Sequence, residues 1–176
     1  MTDVIKPRRS VLYMPGANDK ALEKAKTLPC DAIIFDTEDS VAPDMKAVAR
    51  EKVAAAVRSG EYGRRELTIR INGLDTEWWK ADLESAGAAA PSAVVVPKIN
   101  SAADVALVEG VLDGIDAAAN TTIWAMLETP AAMELDSRIA ARQIRQPVDR
   151  NAEIGSAFDA ITYLKGGAVL GMFESW

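Results

Sequence analysis

Residues 32–39 read Ala32-Ile33-Ile34-Phe35-Asp36-Thr37-Glu38-Asp39: a short apolar run, then three carboxylates within four positions. An apolar run without polar alternation marks a strand covered on both faces, as in a parallel sheet flanked by helices. Carboxylates crowded this closely raise at least one pKa unless a cation is near, so the cluster anticipates an arginine or metal-bound water beside it. A solvated turn explains Asp39 nearly as well.

Outward from this stretch the same unit repeats. Strands are expected over 10–14, 32–35, 67–71, 93–96 and 122–127, alternating with helices over 20–27, 45–58, 76–88 and 102–119. That alternation predicts βαβ units and a parallel sheet with strands in sequence order. Each strand ends in polar or turn residues: Pro15-Gly16-Ala17-Asn18, Asp36 to Asp39, Arg70-Ile71-Asn72-Gly73, Pro97-Lys98 and Glu128-Thr129-Pro130. Ligands of α/β sheets and barrels bind at the carboxyl ends of strands, so these clusters are expected to converge on one rim. A closed eight-stranded barrel takes about 250 residues, and 176 fall short of it. The expected fold is therefore α/β, an incomplete (β/α) barrel of about five parallel strands over 1–132, followed by a helical tail over 133–176. In that tail Asp149 or Asn151 is placed to cap a helix over 153–176, whose Phe158, Ile161, Leu164 and Met172 are expected to cover the sheet. Failing that, the unclosed sheet is expected to drive self-association.

Composition narrows the chemistry. A formal charge of −6, with 49% hydrophobic and 26% charged residues, fits a soluble domain and argues against a nucleic-acid groove or an anionic-membrane patch. The local cluster Lys6, Arg8, Arg9 could still meet a phosphate. No apolar run approaches a membrane span or a secretory signal, and the lone Cys30, read as a buried thiol, suits a reducing cytoplasm. The chain contains no histidine, which removes Ser-His-Asp, Cys-His and His-Glu-x-x-His chemistry from it. Acid–base and metal work would fall to carboxylates, lysine, arginine, tyrosine or water.

The segments Arg8-Arg9-Ser10-Val11-Leu12-Tyr13-Met14-Pro15-Gly16, Asp36-Thr37-Glu38-Asp39-Ser40-Val41, Arg70-Ile71-Asn72, Pro97-Lys98 and Leu127-Glu128-Thr129-Pro130 resemble, in order and spacing, the HpcH/HpaI aldolase and citrate lyase β-subunit-like CoA-ester lyases. The resemblance implies a TIM-barrel enzyme that makes or cleaves a carbon–carbon bond beside a carbonyl, with Mg²⁺ as cofactor and a CoA thioester or small carboxylate as substrate. It assigns a substrate-binding and catalytic role to Arg70 and a magnesium-ligand role to Glu128. Arg70 has a planar donor fork suited to a carboxylate or an enolate oxygen, or else pairs with Asp36 or Glu38 to seal the mouth. Glu128 is a hard oxygen ligand, or a carboxylate favoured by a helix N-terminus. Asp36 and Glu38 join Arg70 as catalytic candidates. Lys98, Pro15 and Gly16 are substrate-binding candidates, the last two as a backbone cradle for the CoA pyrophosphate or simply as a turn. Trp78 and Trp79 read as helix core and flank. A family carboxylate from a sixth strand has no counterpart here, so a second metal ligand would come from Asp36, Glu38, Glu134 or Asp136.

The tail carries a second resemblance. Arg145-Gln146-Pro147-Val148, Ala152-Glu153-Ile154 and Phe158-Asp159-Ala160-Ile161-Thr162-Tyr163-Leu164-Lys165-Gly166-Gly167 look like a stretch of the zinc aminopeptidase N family, yet without histidine no peptidase site can form. The pair of resemblances implies a chimera or a recombined fragment joined near 131–135, or else a divergent lyase whose tail matches by chance. Three functions compete: a magnesium-dependent lyase domain of little or no activity as given, a silent structural chimera, and a CoA- or acyl-binding module without turnover.

Overall fold

The computed structural model describes residues 8–133, and the chain divides after Ala132. The tail helix over 153–176, the junction residues 134 and 135, Lys6, Glu134 and Asp136 lie outside the described residues. Five strands, β1 (Val11–Pro15), β2 (Ala32–Asp36), β3 (Glu66–Arg70), β4 (Ala93–Val96) and β5 (Thr122–Ala125), alternate with α1 (Asp19–Ala25), α2 (Lys46–Arg58), α3 (Trp79–Ala89) and α4 (Ala102–Leu112). All strand pairings are parallel and the order is β1-β2-β3-β4-β5, as the alternation predicts.

Period-two geometry divides each strand between two faces. Ile33, Phe35, Ile69, Val94 and Val96 enter the hydrophobic core with Leu22, Val53, Leu83 and Val108. Burying such side chains stabilises the sheet by about 1.5–3 kcal/mol each. Phe35 meets Tyr62 edge-on, with centroids 5.1 Å apart, and the Tyr62 hydroxyl donates to Leu22 O at 3.1 Å, tying α1 to the segment before β3. The other face of β2 and β3 carries Ile34, Asp36, Thr68 and Arg70, all buried. The register sets Asp36 beside Arg70 and Pro15 beside Asp36.

Helix boundaries follow local chemistry. Asn18 Oδ1 caps α1 by accepting from Ala21 N at 3.1 Å. Ser101 and Asp104 form a capping box on α4, satisfying donors that open every helix. The expected helix over 76–88 starts later, at Trp79, because Thr76 is held in a turn by its N–H and hydroxyl on Gly73 O. The expected helix over 102–119 ends at Leu112, and a separate 3₁₀ turn covers Asp116–Ala118. Cys30 is half-buried rather than buried, since it lies in the loop before β2 and packs against the core only at its edge. Trp79 packs on the core, as expected. Among the described residues no helix is long and apolar enough to cross a membrane.

Gly16 is where the sheet requires glycine. Its N–H donates to Asp36 O at 2.8 Å, and a Cβ there would meet Val53 Cγ1 at 2.6 Å and Asp36 O at 2.7 Å. One of these neighbours is backbone and cannot yield cheaply. Gly16→Ala is expected to destabilise the fold by about 1–3 kcal/mol, read as a lower urea midpoint; an unchanged midpoint contradicts this packing.

Candidate active site at the strand ends

The carboxyl ends of β2 to β5 bring Asp36, Glu38, Arg70, Lys98 and Glu128 to one rim. Arg70 closes β3 and Asp36 closes β2 in adjacent register. The guanidinium binds the carboxylate in two parallel contacts, Nε to Oδ1 and Nη2 to Oδ2, both 2.8 Å. Its Nη1 lies 2.8 Å from Glu38 Oε2 and donates to Asp39 Oδ2 at 3.3 Å. The sequence left open whether Arg70 faces substrate or pairs with Asp36 or Glu38; it pairs with both. A guanidinium has five N–H donors, however, and three of them make these carboxylate hydrogen bonds. Tyr13 supports the group from β1, its ring centroid 5.1 Å from Arg70 Cζ.

Lys98 links the knot to Glu128. Its Nζ donates to Glu38 Oε1 at 2.9 Å and its backbone N–H donates to Glu128 Oε1 at 3.0 Å. To do both it takes the left-handed conformation, φ 54°, which disfavours a side chain with a Cβ by about 1–2 kcal/mol. Such conformations persist where surrounding contacts over-determine them. Asn100 Nδ2 donates to Lys98 O at 2.9 Å, and Thr129 Oγ1 is hydrogen-bonded to Asn100 Oδ1, so the β4 and β5 loops brace each other.

A layer that sequence reading did not single out lies beneath the rim. Lys46 Nζ donates to Thr37 O at 2.9 Å and Glu38 O at 2.6 Å. Asn72 Nδ2 also donates to Thr37 O, at 3.1 Å, and to Asp82 Oδ2 at 2.6 Å. Asp82 in turn accepts from Asn72 N at 3.1 Å and from Arg50 Nε at 2.7 Å. The polar residue Asp82 falls inside an expected helix at a buried position, and that was the available signal.

Electrostatics follow from these contacts. Burial alone would raise the Asp36 carboxyl, but hydrogen bonds from Arg70, Ser40 and Glu38 outweigh it and hold it below its ordinary 3.8. Burial likewise opposes the charge on Arg70, and Asp36 with Glu38 overcomes it, raising the guanidinium pKa. Burial pushes the Tyr13 hydroxyl up; Arg70 opposes this, while Asp36, Glu128 and Glu38 reinforce it. The hydrogen bond to Glu38 raises Lys98.

Other candidates sit differently. Pro15 has no N–H and that of Gly16 is engaged by Asp36, so this pair offers no free donor to a pyrophosphate and shapes the rim instead. An open depression of about 600 Å³ beside it is lined by Pro15, Ala17, Asn18, Asp19, Lys20 and Ser40. Arg8 pairs with Glu66 at 2.6 Å and Arg9 with Asp31 at 2.8 Å, so neither is an uncommitted phosphate ligand.

The described residues contain no group of three side chains able to hold a metal ion. Glu128 is an exposed hard-oxygen carboxylate at a strand end with one oxygen on a backbone N–H. Magnesium commonly takes one or two carboxylates and keeps several waters, so Glu128 fits as one ligand.

Five parallel strands in sequence order with helices between them are the arrangement of an unclosed (β/α) barrel. The HpcH/HpaI aldolase/citrate lyase family model matches residues 9–150, and the chain belongs to that family. It is 44% identical over 135 residues to a (3S)-malyl-CoA thioesterase of Cereibacter sphaeroides, covering 77% of this chain and 45% of the relative. It is 36% identical over 148 residues to an L-malyl-CoA/beta-methylmalyl-CoA lyase of the same organism, covering 80% and 46%. A citrate lyase beta subunit complexed with oxaloacetate and magnesium, from M. tuberculosis, superposes with a TM-score of 0.56 at 27% identity, covering 76% of this chain and 55% of that one. The chain thus spans about half the length of the curated relatives it matches.

The Asp36–Arg70 pair carries a pH signature. A carboxyl held below its ordinary 3.8 stabilises the fold above that value, and the contribution disappears as pH falls through the lower folded-state value. Asp36→Asn is expected to destabilise at neutral pH by about 3–5 kcal/mol, because a buried cation loses its charged partner, and to flatten the stability loss below about pH 4. Denaturant titrations at several pH values check this; an acid limb identical to the unsubstituted chain contradicts it.

Proposed function

We propose that this chain carries the substrate-clamping part of a magnesium-dependent carbon–carbon lyase acting on a small hydroxyacyl-CoA thioester in the cytoplasm, and that residues 1–176 alone turn over little. The observation that carries the reading is the rim itself, where Arg70, Lys98 and Glu128 stand within one hydrogen-bonded network through Glu38 and the Lys98 backbone.

In this reading Arg70 offers what its fork retains beyond Asp36, Glu38 and Asp39 to a carboxylate or to the developing enolate oxygen. Its charge is fixed by Asp36, so no reorganisation is needed as negative charge builds on the substrate. Lys98 Nζ, half exposed, supplies a compact positive charge beside the same anion. Glu38 holds both cations in place. Glu128 contributes one ligand to Mg²⁺, which when bound polarises a substrate carbonyl as a Lewis acid. Waters, substrate and a second carboxylate complete the shell, recruited from Asp36, Glu38, Glu134 or Asp136. Of these, Asp36 and Glu38 are committed to Arg70 and Lys98, which favours one protein ligand and weak metal affinity. The same proposal treats 133–176 as a joined tail and the edges of β1 and β5 as surfaces for self-association.

A second reading is thioester hydrolysis, favoured by the 44% identity to a malyl-CoA thioesterase. Products separate the two: cleavage of malyl-CoA gives acetyl-CoA and glyoxylate, whereas hydrolysis gives malate and free CoA.

Calorimetry is expected to show weak Mg²⁺ binding that Glu128→Gln lowers by about tenfold or more, with slow malyl-CoA cleavage at most. Robust turnover abolished by Glu128→Gln would show that the chain needs no further strands. Metal binding unaffected by Glu128→Gln would place the ion elsewhere.

A further inference from the structure

Lys46 occupies a place that general physics disfavours twice. It is the first residue of α2, where the helix dipole repels a cation, and it is 6% exposed, where burial opposes charge. Among the described residues it makes no ion pair; its ammonium meets only the carbonyls of Thr37 and Glu38 and, 5.4 Å away, the face of Trp78. Burial lowers its pKa, with Asp36, Asp82, Glu38 and Asp39 opposing the shift.

Glu38 shows what the ammonium is for. Its carboxylate is buried, with one oxygen on the half-exposed Lys98 Nζ. The other oxygen lies near Arg70 Nη1 yet receives no hydrogen bond. That 2.8 Å ion pair lacks hydrogen-bond geometry, so it depends on where the turn after β2 holds Glu38. The turn is fixed from below: one ammonium grips the carbonyls of Thr37 and Glu38, and Asn72, anchored by Asp82, holds Thr37 O a second time.

We propose that Lys46 is a positioning residue of the strand-end site, clamping the turn after β2 so that Glu38 stays between Arg70 and Lys98 and fixes both cations toward an anionic substrate. The proposal rests on the substrate-clamp reading of Arg70 and deepens it. Lys46 touches no substrate; it acts through Glu38.

The test is a double-mutant cycle read by oxaloacetate binding in calorimetry, with unfolding midpoints recorded alongside. Lys46→Met keeps the apolar stem and removes the clamp; it is expected to weaken oxaloacetate binding about tenfold in the unsubstituted background and less than about twofold in the Glu38→Gln background. Lys46→Gln, which retains an amide NH₂ donor and stays folded if the methionine variant does not, is expected to fall between. Equal losses in both backgrounds, or a lowered midpoint with affinity unchanged, would make Lys46 merely structural and overturn the proposal. Malyl-CoA cleavage measured on the same proteins separates the two claims. Coupling with malate and free CoA as the products leaves the positioning role standing and removes the lyase reading; acetyl-CoA and glyoxylate without coupling do the reverse; and no oxaloacetate binding by the unsubstituted chain overturns the clamp and the positioning role together.

Discussion

The Asp36–Arg70 pair is the interaction on which the rest of this site depends. Two parallel contacts of 2.8 Å join the last residues of neighbouring strands, so sheet register and site geometry are one constraint. A buried guanidinium is tolerated only with its charge matched. The match uses one edge of the fork, and the other edge makes Asp39 and Glu38 neighbours of the same group, with the Tyr13 ring beside it. Gly16 belongs to this constraint as well, because its missing Cβ lets β1 close onto Asp36 O.

Around that pair the site is built in layers of decreasing burial. Lys46, Asn72 and Asp82 fix the turn from below. Arg70, Asp36 and Glu38 form the middle, and Lys98 and Glu128 stand at the exposed edge. A rigid base under a more exposed edge suits a site that must present fixed charge to a ligand while letting it enter. The strained backbone of Lys98 lies at the boundary between these layers, where one residue contacts Glu38 by its side chain and Glu128 by its N–H.

Strand identity and order were legible in the sequence because β2 and β4 are continuous apolar runs and each strand ends in charge or turn residues. The convergence of Asp36, Glu38, Arg70, Lys98 and Glu128 was legible for the same reason, since strand ends of a parallel sheet share a rim. Helix starts were less so: Thr76 has helix-compatible neighbours, but its hydroxyl turns back to Gly73 O, a local competition that apolar periodicity does not register. The Pro15-Gly16 turn was legible as a turn, whereas engagement of its N–H by Asp36 depends on strand pairing. Lys46 gave no signal, because a lysine opening a helix reads as solvated until the loop that it grips is seen folded over it.

The central claim is that Arg70 and Asp36 form one energetic unit. A denaturant-unfolding double-mutant cycle with Arg70→Met and Asp36→Leu measures it most directly. The account predicts that Asp36→Leu alone is strongly destabilising, and that the double variant falls short of the sum of the single losses by about 1–3 kcal/mol. Losses that simply add would mean that the two side chains are independent, and the strand-end site as described here would be wrong.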